Sequence, residues 1–137
     1  MNIYLKEIKI NLNPCEVYEA FRYDIATIIL DSSKEDEKLS KYSFIGLNPY
    51  MTFSSFQNDG YIDGVKVEGN PFKILDELLT RNKVAEKTNI PLIGGSMGYI
   101  SYDTGRIIEK ISDSSDEYFK IPHMKFFFYI NIIIFYL

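Results

Sequence analysis

The sequence predicts an α+β fold, a largely antiparallel sheet with a few packed helices. Three observations carry this reading. Short apolar runs of strand period are separated by Asn, Asp and Gly turns. Two Asn-Pro pairs each open a segment of helical spacing. The closing stretch is so rich in β-branched and aromatic residues that it reads as strand.

Residues 4–12 alternate Tyr4, Ile8, Ile10 and Leu12 with Lys6, Lys9 and Asn11, which predicts a strand. Asn13-Pro14-Cys15-Glu16 then predicts a helix start, with Asn13 as cap, Pro14 in the first turn and Glu16 closing a capping box. Val17 and Phe21 give that short helix its apolar stripe. Residues 26–30 form a compact apolar run, a buried strand ending at Asp31-Ser32-Ser33. The mixed-charge run Lys34-Glu35-Asp36-Glu37-Lys38 reads as a solvated loop. Strands follow at residues 42–46 and 50–56, with hairpin turns at Asn58-Asp59-Gly60 and Asp63-Gly64, since these residues tolerate positive φ. Val65 and Val67 continue the sheet.

Asn70-Pro71 repeats the cap-plus-proline start, and Phe72, Leu75, Leu78 and Leu79 follow at helical spacing, so residues 70–81 form the clearest helix. Residues 83–89 and 112–117 are polar loops. The glycine-punctuated segment 94–102 opens a strand and leads into a helix at 103–108. Residues 126–137 are almost wholly apolar and read as one or two buried strands. The run is too short and too β-branched to be a membrane-spanning helix, which needs about 20 apolar residues. The chain stops inside that run without a turn or a charged cap, which reads as a fold cut short.

A length of 137 residues allows one domain with a real core, spanning residues 1–137. Lys and Arg number 15 against 19 Asp and Glu, so no basic face stands out and a nucleic-acid partner is not expected. Cys15 is the single cysteine, which excludes an internal disulfide. The first residues carry charge and no long apolar core, unlike a signal peptide, and the expected location is the cytoplasm.

Motif chemistry identifies no active site. Gly94-Gly95-Ser96-Met97-Gly98 matches the G-x-S-x-G pattern of a hydrolase elbow, and Asp113 and His123 follow it. Too little chain remains after Ser96 for the rest of such a sheet, so the glycines are read as permitting close backbone packing or a bulge where a strand begins. His123, at the mouth of the apolar tail, reads as a strand-edge residue. One His and one Cys far apart in sequence make no transition-metal site, and Asp59 to Gly64 lacks the oxygen ligands of a calcium loop. Glu109 with Asp113 has no mark of a general acid–base couple.

Three ordered blocks, Ile29-Leu30-Asp31-Ser32, Lys41-Tyr42-Ser43-Phe44-Ile45-Gly46 with Asn48-Pro49, and Gly94-Gly95-Ser96-Met97-Gly98-Tyr99 with Tyr102-Asp103, Arg106 and Glu109, resemble the N-terminal region of component I of anthranilate and aminodeoxychorismate (para-aminobenzoate) synthases. Ile121-Pro122 before Phe126-Phe127-Phe128-Tyr129 fits the same pattern. The resemblance implies that this chain is part of a larger two-sheet chorismate-aminase fold whose C-terminal chorismate-binding domain is absent. It implies a full-length subunit that takes chorismate, Mg²⁺ and ammonia, with a glutamine amidotransferase subunit as the ammonia source. No catalytic residue and no metal ligand is carried over, because those of the family belong to the missing part. The chain alone is expected to be inactive.

The resemblance also implies an L-tryptophan pocket. Matching positions place Ser32, Lys41 and Tyr42 in it, with Ser40 beside them. A hydroxyl and a cation at a strand end fit the carboxylate of an amino acid. The plain alternative is that Ser32 caps a turn and Lys41 is solvated. Asp31 and Gly105-Arg106 lean toward the aminodeoxychorismate branch and folate-precursor synthesis, with the anthranilate branch of tryptophan biosynthesis as the alternative. A stand-alone tryptophan-binding module, or an interaction protein that docks on a glutaminase or on a separate C-terminal half, are further readings.

Overall fold

Alternating apolar runs need partner strands, and the computed structural model shows which of them find one. It describes residues 3–32, 41–85, 88–109 and 120–136. In chain order the elements are α1 (Pro14–Glu19), β1 (Ile28–Leu30), β2 (Tyr42–Leu47), β3 (Met51–Phe56), β4 (Asp59–Ile62), β5 (Val65–Val67), α2 (Pro71–Arg81), β6 (Gly95–Ile100), a 3₁₀ turn (Tyr102–Thr104), α3 (Gly105–Ile108), β7 (Met124–Tyr129) and β8 (Asn131–Tyr136). The fold is α+β with antiparallel pairing, as the sequence implies. The chain divides into two units: Met1–Tyr50, Lys83–Gly95 and Tyr129–Leu137 form the first, and Met51–Asn82 and Ser96–Phe128 the second.

In the first unit a three-stranded sheet runs in the order β1-β2-β8. Ile28, Ile29 and Leu30 pair with Gly46, Ile45 and Phe44, and β2 pairs along its whole length with β8, from Tyr42↔Tyr136 to Leu47↔Asn131. The helix α1 packs against β2. Its start is as the sequence implies. Asn13 Oδ1 accepts from the Glu16 N–H at 2.9 Å and Glu16 Oε2 accepts from the Asn13 N–H at 2.8 Å, a complete capping box. Only Val17 of the expected stripe lies within the helix, since Phe21 follows its end in a run of turns.

One expectation fails outright. Residues 4–12 are not a strand. Tyr4, Leu5, Ile8, Ile10 and Leu12 are exposed, because strand period alone makes no strand without a neighbour to bond. The run at 26–30 also shortens to β1, because Ala26 takes the left-handed conformation with φ of 55° and cannot extend the ladder.

The second unit holds a five-stranded sheet, ordered β5-β4-β3-β7-β6. Its core is Phe53, Leu75, Leu78, Met124 and Phe128, with Met51, Ile62, Phe72, Ile74 and Phe126 packed around them. Burying each large side chain of that kind contributes about 1.5–3 kcal/mol. The helix α2 begins as its sequence dictates, with Asn70 Oδ1 accepting from Phe72 N–H and Lys73 N–H.

The first hairpin turn is tighter than the glycine pattern suggests. The β3–β4 turn is Gln57-Asn58, with Gln57 at φ 51°, and Asp59 and Gly60 are already strand. Gly60 is needed inside β4, where a Cβ would meet Ile74 Cδ1 at 2.9 Å. The β4–β5 turn is Asp63-Gly64, both left-handed, as the sequence implies. The glycines before Tyr99 do open a strand, β6. A Cβ at Gly98 would lie 2.0 Å from the Lys125 carbonyl oxygen, so β6 approaches β7 as closely as glycine allows. The apolar tail resolves into two strands, β7 and β8, parted only by Ile130. The expected loop at 112–117 lies outside the described residues.

Candidate functional site

The polar residues of the first unit gather where β1 ends. Continuing the β1–β2 register brings Asp31 opposite Ser43 and Ser32 opposite Tyr42, and the hydrogen bonds follow that pairing. The Ser43 hydroxyl donates to Asp31 Oδ1 at 2.8 Å. It also accepts from the Ser32 N–H at 3.0 Å. The Ser32 hydroxyl donates to the Tyr42 carbonyl at 2.7 Å. On the other side the Cys15 thiol, one residue into α1, makes a long contact of 3.9 Å with Asp31 Oδ2. Ser43 is fully buried, Ser32 half-buried and Asp31 exposed, so the network runs from the interior to the surface.

This geometry fixes what each group offers a ligand. The proton of Ser32 is committed to the Tyr42 carbonyl, so toward solvent its oxygen can only accept. Asp31 adds an acceptor-only carboxylate. The cluster therefore offers acceptors rather than donors toward solvent. The Ser32 hydroxyl, expected to face an amino-acid carboxylate, donates here to the Tyr42 carbonyl. Lys41, exposed and one residue before β2, is the nearby residue in sequence whose charge suits a carboxylate.

Tyr42 contributes its backbone rather than its ring. The ring stacks with Phe44 at 6.1 Å between centroids and meets Tyr136 edge-on at 5.3 Å. These three rings share one face of the sheet with Leu30 and Ile134, by strand alternation and register. Ser40 lies outside the described residues. Of the four expected site residues, Ser32 and Tyr42 are thus joined directly by a hydrogen bond. Asp31, Ser43 and Cys15 are the additions. Ser43 could have been found from its place between two aromatics on a strand, pointing to the opposite face from both. Nothing in the sequence marks Cys15, whose approach depends on how α1 sits on the sheet.

Polar groups in the second unit have a structural arrangement. The His123 N–H donates to the Ser55 carbonyl, its carbonyl accepts from Ser101 N–H and from the Thr104 hydroxyl, and its Nδ1 accepts from Gln57 N–H at 3.1 Å. His123 is a buried strand-edge residue that ties three segments together. Ser96 lies inside β6, not on a strand-to-helix turn, so the hydrolase-like pattern has no elbow. Asp113, its would-be acid, lies outside the described residues. Among the described residues no three His, Cys, Asp or Glu side chains gather to hold a metal, so no magnesium chemistry is assigned to them. No helix among them is long and apolar enough to cross a membrane.

No protein-family model matches the sequence. Individual proteins do. The chain is 28% identical over 128 residues to anthranilate synthase component 1 of Acetivibrio thermocellus, covering 89% of this chain and 26% of that protein. It is 38% identical over 87 residues to the Saccharomyces cerevisiae protein of the same name, covering 61% of this chain and 16% of the other. The crystal structure of anthranilate synthase component I from Streptococcus pneumoniae superposes on 97% of the chain with a TM-score of 0.64 at 22% identity, and the match takes in 29% of that chain. The fold is thus shared with anthranilate synthase component I, and this chain spans less than a third of the length of these relatives.

Proposed function

We propose that this chain is the N-terminal region of an anthranilate synthase component I-like subunit, and that the end of β1 is an amino-acid-binding site for L-tryptophan. The observation that carries the site is the hydrogen-bonded cluster of Asp31, Ser32, Ser43 and the Tyr42 carbonyl. It presents acceptors to an ammonium group, with Lys41 as the counterpart for the carboxylate. The similar proteins carry the anthranilate name, which favours the tryptophan branch over the aminodeoxychorismate lean drawn from Asp31 and Gly105-Arg106.

In this reading the chain contributes binding and scaffold, not chemistry. Chorismate conversion, its magnesium and the glutamine amidotransferase partner belong to the complete subunit, and the working location is the cytoplasm. Isothermal titration with L-tryptophan is the direct test. Saturable binding is expected, weakened about tenfold in Ser32→Ala, the loss of one hydrogen-bonding group. Absence of any binding by the unaltered chain would sink the site. Ammonia-dependent chorismate consumption with Mg²⁺ should stay at background, and clear turnover would overturn the division of labour proposed here.

A further inference from the structure

The Asp31–Ser32 cluster hangs on a very short strand. β1 has three residues, and among the described strands it pairs with β2 alone. Three ladder positions at one edge are a weak hold, and the approach to the strand is unfavourable as well, since Ala26 sits left-handed with φ of 55° just before Thr27. Something must fix the entry to β1 if its exit is to present Asp31 and Ser32 in one place.

Tyr129 meets that requirement. It is 1% exposed, and its ring lies over Gly46, where a Cβ would come within 2.9 Å of three ring carbons. Gly46 is the residue that pairs with Ile28, the first residue of β1. The ring cannot sit there above any other residue type, so the glycine and the tyrosine form one fitting. From this seat the phenol donates to the carbonyl of Ala26. Tyr129 therefore holds the turn before β1 from one side while Gly46 holds the strand's first pair on the other. The far end is closed by Ser43 and the Tyr42 carbonyl.

We infer that Tyr129 is a positioning residue for the Asp31–Ser32 site, acting through the Ala26 carbonyl and the register of β1 from about 16 Å along the chain, at roughly 3.3 Å per residue. The inference rests on the reading of that cluster as a binding site, but its test does not depend on a ligand. Tyr129→Phe keeps the ring over Gly46 and removes only the hydroxyl. Amide hydrogen exchange at Ser32, whose N–H is bonded to Ser43, should quicken about five- to tenfold, the scale of one lost hydrogen bond. L-tryptophan affinity should fall by a similar factor. Leu92→Val, in the same unit beside Gly95 but outside the β1-β2-β8 sheet, serves as a control that loosens the unit without touching the Ala26 contact, and it should leave Ser32 exchange unchanged.

Unchanged Ser32 exchange in Tyr129→Phe, or an equal rise in the control, would overturn the inference. If the unaltered chain binds no tryptophan, the proposed function falls while exchange still decides the role of Tyr129. Should Tyr129→Phe fail to fold, native-state exchange of the unaltered chain in low denaturant asks the same question. A common opening for the amides of Thr27 and Ser32 supports the inference, and separate openings overturn it.

Discussion

The two units solve the same packing problem differently. Among the described residues, the buried hydrophobic side chains of the second unit are Phe53, Leu75, Leu78, Met97, Met124 and Phe128, and the large ones of the first are Val17, Ile45 and Tyr129. Both units also expose large hydrophobics, and in the first they cluster before α1, at Tyr4, Leu5, Ile8, Ile10 and Leu12. Helix α2 supplies the second unit with an apolar face, and its longer sheet gives that face something to cover. Among the described residues the first has a six-residue helix and a three-stranded sheet, so less apolar surface is covered there. A well-packed core makes a scaffold, whereas a thinly packed sheet leaves polar groups near solvent where they can meet a ligand.

The contrast is broken most severely from the scaffold side. Gly98→Ala places a methyl group 2.0 Å from the Lys125 carbonyl oxygen, and neither partner is a side chain that can swing away. β6 and β7 must separate, at a cost of about 3 kcal/mol or more. Urea unfolding followed by circular dichroism should show a collapsed midpoint, and a near-normal midpoint would mean that the two strands are less tightly apposed. Among the described residues Gly105 has open space around its Cβ position, so Gly105→Ala is the benign companion.

The next effect belongs to the first unit and is read with pH. Burial pushes the Tyr129 phenol up to about 12 from an ordinary value of 10.0. The folded protein therefore keeps this proton where the unfolded chain has released it. Stability from this group is complete below pH 10 and declines between pH 10 and 12, by up to about 1.4 kcal/mol per pH unit. Thermal melts across that range should show a steeper fall for the unaltered chain than for Tyr129→Phe. Parallel curves would mean that the ring ionises freely.

The smallest effect compares the two caps. Asn13→Ala and Asn70→Ala each remove a side-chain acceptor from a helix start, at about 1 kcal/mol. The Asn70 substitution should lower the melting temperature as that figure predicts, because α2 covers the core. The Asn13 substitution should lower it less but weaken tryptophan binding, since α1 carries Cys15 to Asp31. Equal melting shifts with unchanged binding would remove α1 from the site.

Much of the fold was legible because its signals are local. Asn13 and Asn70 begin helices through their own side chains, Asp63-Gly64 turns because both tolerate positive φ, and Gly98 marks a strand that must come close to another. The resemblance of the ordered blocks pointed to Ser32 and Tyr42, which the fold joins by a hydrogen bond. The strand expected at residues 4–12 failed because alternation describes a chain ready to pair, and pairing needs a neighbour that no local pattern can guarantee.

What the sequence determined by itself was therefore the class of fold, the starts of two helices and a close backbone approach among the glycines at 94–98. Tertiary structure alone decided which glycine met which backbone, that the Ser32 proton would go to Tyr42, and that Cys15 and Tyr129 would bear on β1 from opposite ends of the chain. Tyr129 lies 103 positions from the carbonyl it holds. A contact of that span leaves no periodic trace, because it depends on where two separately determined elements come to rest.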